Sequence, residues 1–274
     1  MEEPQDADDS TVNIDDETIT SINDYLHWVK RITKSFGLRR STITPWYRGH
    51  PVHDWKLKPS LYRSEVPKIC EREMLRDFKL YATEFLGQGQ RSDIDWLFIA
   101  QHHGIPTRLL DWTENPLVAL FFVVHDYGNK ADGRVWAINP WELNTTSIGL
   151  QSVPHTDNPI FMDYVVDITD PEFPREVKAK RPIAIRPYHV FRRSNAQSGV
   201  FTVHGTIEKA LESTQFTRKN RKACLRSAKI NGESKITIMR DLHALGIHHA
   251  SLFQSVDHIA ATLRMRYSWS FLKD

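Results

Sequence analysis

Segments with helical spacing of apolar residues and short β-rich segments follow one another along this chain, and their order limits the possible fold more than any other sequence feature. Helical spacing predicts five main helices, at residues 21–32, 69–86, 93–103, 234–245 and 256–265. Ser21 and Asp24 have the spacing of a capping box at the start of the first helix. Short β-rich segments predict strands between these groups, at residues 134–138, 183–185, 200–204 and 224–230. A strand-rich middle with helices before and after it predicts an α+β fold.

Three local signals refine this prediction. The β-rich segment 41–47 predicts a strand, and its Pro45 indicates a sheet edge or a bulge. Asn115 followed by Pro116 is typical of a helix start, and predicts a short, very apolar helix over 117–125. Residues 140–180 are rich in turn formers, so we expect an insertion or a pair of long loops there.

Composition limits the class of protein. The chain has 274 residues, of which 40% are hydrophobic, so it can bury a full core. Its two cysteines, Cys70 and Cys224, form neither a metal-binding pattern nor a disulfide framework, as is common in a reducing cytosol. No apolar run has the length of a membrane span, and the acidic N-terminus differs from a signal peptide. We therefore expect a cytoplasmic protein that does not bind a membrane.

The charges are unevenly distributed. Residues 1–20 contain eight acidic side chains and no Lys or Arg, so we predict a disordered acidic tail at 1–18 and one folded domain at 19–274. Residues 175–240 contain sixteen Lys and Arg against four Glu. Such a basic face attracts nucleic acid, a nucleotide, or the acidic tail itself. An ordinary solvated charged surface remains an alternative.

Three segments place polar side chains beside apolar elements, at residues 46–50, 101–116 and 193–201. In the second segment, Arg108 and Asp111 flank two leucines, so we expect a partly buried ion pair. This pair either holds a loop on the core, or lines a phosphate-binding pocket together with Thr107 and Thr113. The helix that starts after Asn115 also offers N–H groups to an anion.

Arg48 lies between aromatic residues and a glycine, which allows two interpretations. It either packs on Trp46 with its guanidinium bound to backbone carbonyls, or it grips a phosphate in a cleft. For Trp46 and Trp112 we favour burial in the core over stacking on a ligand. The histidine pairs at 102–103 and 248–249 do not predict a metal site, although His103 is a candidate hydrogen-bond partner or proton carrier.

The three segments, in this order, resemble the FRG domain family, which is named for a Phe/Tyr-Arg-Gly signature. The signature here is Tyr47-Arg48-Gly49, and the most specific match is the stretch 102–113 with Asn115-Pro116 and Ala119-Leu120. Gln197, Gly199 and Phe201, and the segment 245–253, also fit the family's pattern. The resemblance extends over residues 24–263 and implies a role in bacterial toxin or phage-defence systems.

Arg48 is followed by Thr107 or Thr113 ahead of the apolar segment 119–122, then by the predicted strand 134–138, and then by Gln197. This order resembles that of ADP-ribosyltransferases of the Arg-Ser-Glu class. It implies a strand-rich core flanked by helices, NAD as the substrate, and transfer of ADP-ribose to a nucleic acid or protein on the basic face. By this resemblance the catalytic residues are Arg48, Asp111 and Gln197. The residues implied in NAD binding are Tyr47, Arg48, Gly49, His103, Thr107, Arg108, Trp112 and Thr113.

The sequence departs from that class in two places, and in the first of them the Ser-Thr-Ser strand of the class is replaced by the segment 107–113, Thr-Arg-Leu-Leu-Asp-Trp-Thr. In the second, Gln197 stands where the class has a glutamate, and a neutral amide cannot act as a base. Either Asp111 or Glu114 then supplies the negative charge that the reaction needs, or the domain binds nucleotides or nucleic acid without turnover. No metal is implied.

Overall fold

The computed structural model describes residues 17–38, 44–87, 91–166, 168, 177–187, 198–214, 224–253 and 256–268. Its described part contains seven strands: β1 (Thr18–Ile19), β2 (Trp46–His50), β3 (Leu109–Thr113), β4 (Gly133–Ile138), β5 (Ile183–Ile185), β6 (Gly199–Val203) and β7 (Leu225–Ile230). The same residues form eight α-helices: α1 (Ile22–Ser35), α2 (Glu71–Leu86), α3 (Asp93–His102), α4 (Pro116–Val124), α5 (Pro140–Ile148), α6 (Lys235–Ala244), α7 (His249–Leu252) and α8 (Val256–Arg266). The predicted α+β class is confirmed.

The seven strands form one sheet in the order β1-β7-β4-β2-β3-β6-β5. All neighbours are antiparallel except β1 and β7, which are parallel. The pairing is uneven in the centre. Strand β2 pairs with β4 through all five of its residues, but it meets β3 at one pair only, Tyr47 with Thr113. The centre of the sheet therefore opens between β2 and β3.

Local sequence signals explain where several helices begin. Ser21 caps α1 by accepting a hydrogen bond from the backbone N–H of Asp24, at the predicted position. Ser92 and Asp95 form a capping box at the start of α3. Asn115 caps α4, with Pro116 in the first turn, as the sequence predicts.

Helices and loops cover both faces of the sheet. On one face, α1, α4 and α6 form a core with the inward side chains of β2, β4 and β7. On the other, Trp46, Trp112 and Trp136 pack together in a second core. Helices α2 and α3 form a third core against β5 and β6. Because consecutive strand residues point to opposite faces, Trp46 and Tyr47 enter different cores.

Three boundaries differ from the sequence predictions. Pro45 precedes β2, which is an interior strand between β4 and β3 rather than an edge. The stretch 140–180 contains helix α5 and a 3₁₀ helix at Pro159–Asp163, because Asn139 caps α5 as Asn115 caps α4. Thr18, the last residue of the predicted tail, lies in β1. No helix within the described ranges is long and apolar enough to cross a membrane.

Strand β2 and helix α4 approach each other closely at Gly49. A Cβ atom on Gly49 would lie 2.1 Å from the carbonyl oxygen of Ala119 and 2.8 Å from the Cγ2 atom of Val123. No side chain larger than hydrogen fits there without movement of the backbone. The glycine of the Tyr-Arg-Gly signature thus has a packing role, and it sets α4 directly beside the opening in the sheet.

Candidate functional site

A cavity of about 340 Å³ lies where β2 and β3 separate. Its lining residues come from β2, β3, β6, α3, α4 and the ends of two loops. They are Tyr47, Arg48, Gly49, Phe98, Gln101, His102, Asp111, Trp112, Thr113, Val118, Ala119, Phe122, Pro187, Gly199, Phe201 and Phe253. The volume is at the lower end of the range for small-molecule pockets, on the order of 300–1,000 Å³.

Arg48 crosses the opening between the two strands. Its Nη1 atom donates a hydrogen bond to the backbone carbonyl of Asp111 on β3, in place of the sheet hydrogen bonds that β2 and β3 do not make. Its Nε atom donates to Nε2 of His50, at 3.0 Å. Among the described residues, none accepts a hydrogen bond from Nη2. The side chain is 19% exposed, so the guanidinium is held at the cavity wall and is still accessible.

His50 holds the Arg48 side chain from within β2. Nδ1 of His50 lies 3.2 Å from the carbonyl oxygen of Trp55 and donates to it, so Nε2 is left as an acceptor. Burial and the charge of Arg48 lower the pKa of His50 to about 3. The ring is therefore neutral at neutral pH. Burial also lowers the pKa of Arg48, against the opposite effect of Asp111, but an arginine keeps its charge in a protein.

Asp111 places a carboxylate next to Arg48. Its Oδ2 atom lies 3.8 Å from Nη1 of Arg48 and accepts a hydrogen bond from Nε2 of Gln101, at 2.8 Å. Oε1 of Gln101 accepts from the hydroxyl of Thr107, which fixes the orientation of the amide. The Asp111 side chain is 54% exposed. It is the only carboxylate among the described residues that line the cavity.

The predicted ion pair between Arg108 and Asp111 is wrong. Arg108 is buried and pairs through Nε and Nη2 with the carboxylate of Glu71, which is also buried. Its Nη1 atom donates to the Tyr62 hydroxyl at 3.2 Å and to the His204 carbonyl at 3.1 Å. Successive residues of the chain point in different directions at the start of β3, so Arg108 enters the interior while Asp111 faces the cavity.

Aromatic and aliphatic side chains form the rest of the wall. Phe98 and Phe201 are in edge contact, with ring centroids 4.8 Å apart. Phe122 and Phe253 are perpendicular, with centroids 6.0 Å apart. The cavity therefore combines a charged end, made by Arg48 and Asp111, with apolar walls that suit a flat ring.

The structure brings five of the predicted NAD contacts to this cavity and leaves three outside it. Tyr47, Arg48, Gly49, Trp112 and Thr113 all line it. His103 instead lies exposed at the end of α3, beside the Phe78 ring, and its neighbour His102 reaches the cavity. Thr107 and Arg108 are buried behind the wall, where they bond to Gln101 and Glu71.

Trp46 and Trp112 are in the core, as the sequence analysis favours. Trp46 is fully buried and Trp112 is 3% exposed. The indole N–H of Trp112 donates to the hydroxyl of Thr202, at 3.2 Å. The cation above the Trp46 ring is Arg186, at 5.9 Å, rather than Arg48. The interpretation of Arg48 as an arginine stacked on Trp46 is therefore not supported.

Two further predictions concern anion binding near α4. The first backbone N–H groups of the helix, at Leu117, Val118 and Ala119, all donate to Asn115, so they are not available to a ligand. Glu114 pairs with Arg186 through both carboxylate oxygens. Asp111, and not Glu114, is thus the carboxylate that faces the cavity. Gln197 lies outside the described residues.

The basic stretch 175–240 is described only in part: residues 175–176, 188–197 and 215–223 lie outside the described residues. Within the described part, several of its cations are bound internally. Lys229 pairs with Asp132 at 3.2 Å, and Lys235 is buried with its Nζ atom bonded to two backbone carbonyls. These residues do not contribute a free positive surface.

Besides His102, which reaches the cavity in place of the predicted His103, sequence reasoning missed two polar residues of the site, His50 and Gln101. Both lay inside segments that the sequence analysis singled out, one residue after Gly49 and one before His102. Alternation along β2 places His50 on the same face as Arg48, which was a usable signal. The contact between Gln101 and Asp111 joins a helix to a strand and has no comparable signal in the sequence.

The fold and the cavity define an α+β domain with a ligand-sized cleft in a partly divided sheet. Comparison with known protein families identifies it further: residues 44–132, from before β2 to before β4, match the model of the FRG domain. The chain therefore contains an FRG domain, and this part includes Arg48, Gln101 and Asp111. Neither a curated protein nor a solved structure matches the chain.

Proposed function

We propose that the cleft between β2 and β3 binds NAD and that the protein transfers ADP-ribose from it to an acceptor. The observation that carries this proposal is the placement of a fixed guanidinium and a carboxylate at one end of an apolar cavity. A dinucleotide presents matching groups, namely an anionic diphosphate, a ribose and flat heteroaromatic rings.

The two charged side chains have different roles in this proposal. Arg48 binds a diphosphate oxygen with a charge-assisted hydrogen bond, which positions the dinucleotide. Asp111 lies near the ribose, where positive charge develops as the bond to nicotinamide breaks. Gln101 and Thr107 hold the carboxylate in place, so no reorganisation is needed when this charge appears.

The reaction exchanges one bond for another at the ribose C1′ atom. The bond between C1′ and the nicotinamide nitrogen breaks, and nicotinamide leaves as a neutral molecule with the electron pair. A nucleophile of the acceptor then bonds to C1′ and loses a proton to solvent. We propose a nucleic acid or a protein on the basic stretch 175–240 as the acceptor. An effector role in a toxin or phage-defence system would follow from such a modification.

The size of the cavity indicates which part of the ligand it encloses. At about 340 Å³ it holds one ring and its ribose rather than a whole dinucleotide. The remaining half lies along the open side of the cleft. Binding of ADP-ribose and binding of nicotinamide are therefore separable measurements.

The test is to incubate the protein with NAD labelled in the ADP-ribose and in the nicotinamide portions, and to measure release of nicotinamide and labelling of protein or nucleic acid. We expect turnover with the wild type, at least a hundredfold slower turnover with Arg48→Ala, and a similar loss with Asp111→Asn, on the order expected for loss of one preorganised electrostatic group.

Matched variants control for the loss of a charge alone. Asp77 on α2 is 60% exposed, close to the 54% of Asp111, so Asp77→Asn removes a comparable carboxylate away from the cavity. Arg31→Ala removes an exposed arginine on α1, away from the cavity. Both should retain full activity. Turnover that persists in a folded Arg48→Ala or Asp111→Asn protein would remove this assignment of the site.

A second candidate function is binding without turnover. It is favoured by the absence, among the described lining residues, of a second carboxylate that could activate an acceptor. In this case NAD or ADP-ribose binds to the wild type and loses affinity in Arg48→Ala, while no nicotinamide is released.

Nucleic-acid binding has a different signature from a nucleotide pocket. If basic residues contact the phosphates of a nucleic acid, affinity falls steeply with salt, by roughly one power of concentration for each phosphate contacted. An enclosed nucleotide site gives a shallow dependence. Titration of a fluorescent single strand and of NAD between low and high salt distinguishes the two.

A further inference from the structure

The orientation of Arg48 depends on His50. We propose that His50 is a positioning residue, which occupies the Nε edge of the Arg48 guanidinium and thereby turns Nη2 towards the oxyanion of the ligand. This inference rests on the proposed function, because it specifies how the same site recognises a phosphate.

The two hydrogen bonds of His50 determine which of its ring nitrogens donates and which accepts. A neutral imidazole has one donor and one acceptor nitrogen. The carbonyl oxygen of Trp55, 3.2 Å from Nδ1, has no proton to give, so Nδ1 must be the donor. Nε2 is then the acceptor, and it lies 3.0 Å from Nε of Arg48. The Trp55 ring lies against the imidazole, with centroids 6.1 Å apart, and limits its rotation.

The hydrogen bonds that Arg48 makes within the protein restrict how a ligand can bind to its guanidinium. A guanidinium can grip an oxyanion by two edges, one formed by Nε and Nη2 and the other by Nη1 and Nη2. His50 occupies Nε, and the Asp111 carbonyl accepts from Nη1. Bidentate binding through the Nε edge is therefore closed. The site recognises an oxygen presented to Nη2, which suits one non-bridging oxygen of a diphosphate rather than a carboxylate laid along the side of the arginine.

Two substitutions of His50 separate its hydrogen bond from its volume. In His50→Gln, the side-chain amide presents an oxygen near the position of Nε2, so the acceptor is kept. In His50→Phe, the ring remains and the acceptor is lost. Affinities for inorganic pyrophosphate, NAD and nicotinamide are measured by calorimetry. His27→Phe, at an exposed position of α1, is the control.

We expect His50→Phe to bind pyrophosphate and NAD about tenfold to a hundredfold more weakly, as for the loss of a hydrogen bond to a charged group. His50→Gln should stay within about threefold of the wild type, and nicotinamide affinity should not change in either variant. A merely structural role would weaken all three ligands together. Unchanged pyrophosphate and NAD binding in a folded His50→Phe protein would overturn the proposal.

A measurement without ligand separates this inference from the proposed function. In ¹⁵N NMR spectra of the wild type, we expect His50 to be neutral with its proton on Nδ1, and the Arg48 Nε–H to exchange slowly. A proton on Nε2, or fast exchange of the Arg48 Nε–H, would overturn the positioning role even if no variant folds. If both signals are as expected and the wild type binds neither pyrophosphate nor NAD, the proposed function fails and the fixed orientation stands.

Discussion

Arg48 and Arg108 lie in the same domain, and their surroundings differ in a way that separates structure from function. Arg108 is buried with a bidentate partner in Glu71, a tyrosine hydroxyl and a backbone carbonyl. Arg48 has one histidine nitrogen and one carbonyl, and it faces a cavity. An arginine whose three side-chain nitrogens all donate to the protein stabilises the fold, whereas one with a nitrogen that donates to no described residue and that lies at a cavity is available to a ligand.

The two regions are otherwise alike. Each contains a buried histidine, His50 beside Arg48 and His204 beside Arg108, and in both burial lowers the pKa to about 3. In both, the arginine joins elements that are distant in sequence. The informative differences are therefore the pairing of the guanidinium and its exposure, 7% for Arg108 against 19% for Arg48, and not the buried histidine beside it.

The largest effect is expected from Arg108→Ala. It leaves the Glu71 carboxylate buried without its partner, which costs roughly 3–5 kcal/mol in the free energy of unfolding. Urea denaturation of Arg108→Ala, Glu71→Ala and the double variant measures the coupling. The double variant should be less destabilised than the sum of the two single ones. Additive losses would show that the pair is not the stabilising unit.

Gly49→Ala should give the next largest effect, because the new methyl group would clash with the Ala119 carbonyl of α4. Overpacking of this kind costs about 1–3 kcal/mol. Gly128→Ala is the matched control, since a Cβ atom there meets nothing within 4 Å. Equal stability of the two variants by urea denaturation would contradict the close approach of β2 to α4.

The pH dependence of stability tests the two histidines. An unfolded histidine has a pKa near 6.5, so between about pH 6.5 and pH 3 the unfolded state binds more protons than the folded state. The free energy of unfolding should therefore fall with decreasing pH in this window, by on the order of 1 kcal/mol per pH unit for each histidine.

This slope should become smaller in His50→Gln and in His204→Gln, by a similar amount in each, because a glutamine does not titrate. Urea denaturation at several pH values from 4.5 to 7.5 provides the measurement. A variant with the full wild-type slope would show that the replaced histidine is not the titrating group.

The smallest effect on stability is expected from Asp111→Asn. The side chain is more than half exposed, and an amide still offers an oxygen to Gln101, so the change should stay within about 0.5 kcal/mol. Glu71→Gln, which alters the carboxylate that pairs with the other arginine, should cost considerably more. If the two variants lose equal stability, the distinction between the two arginines does not hold.

Local signals predicted much of the fold and part of the site. Caps at Ser21 and Asn115 and the apolar spacing of α2 and α3 depend on neighbours in sequence, and the structure confirms those helices. The motif around Arg48 predicted a cluster with Trp112 and Thr113, which do line one cavity.

Contacts between distant segments could not be predicted in the same way. Glu71 lies 37 residues before Arg108, and nothing in its local pattern distinguishes it from the other acidic residues of α2. The opening between β2 and β3 depends on which strands become neighbours and on how far they pair. Both are properties of the assembled sheet, in which long-range packing outweighs local preference.

Strands β2 and β3 are joined by a single residue pair, Tyr47 with Thr113, and this has a consequence for the whole sheet. It divides the sheet into two leaves, β1-β7-β4-β2 and β3-β6-β5, each with continuous pairing inside it. Few backbone hydrogen bonds hold the two leaves together, since β2 and β3 pair at one position only. The two leaves are instead joined by side chains: Arg48 donates to the Asp111 carbonyl of β3, and Trp46 packs with Trp112 of β3 in one core, so a ligand bound to Arg48 would lie at the junction of the leaves.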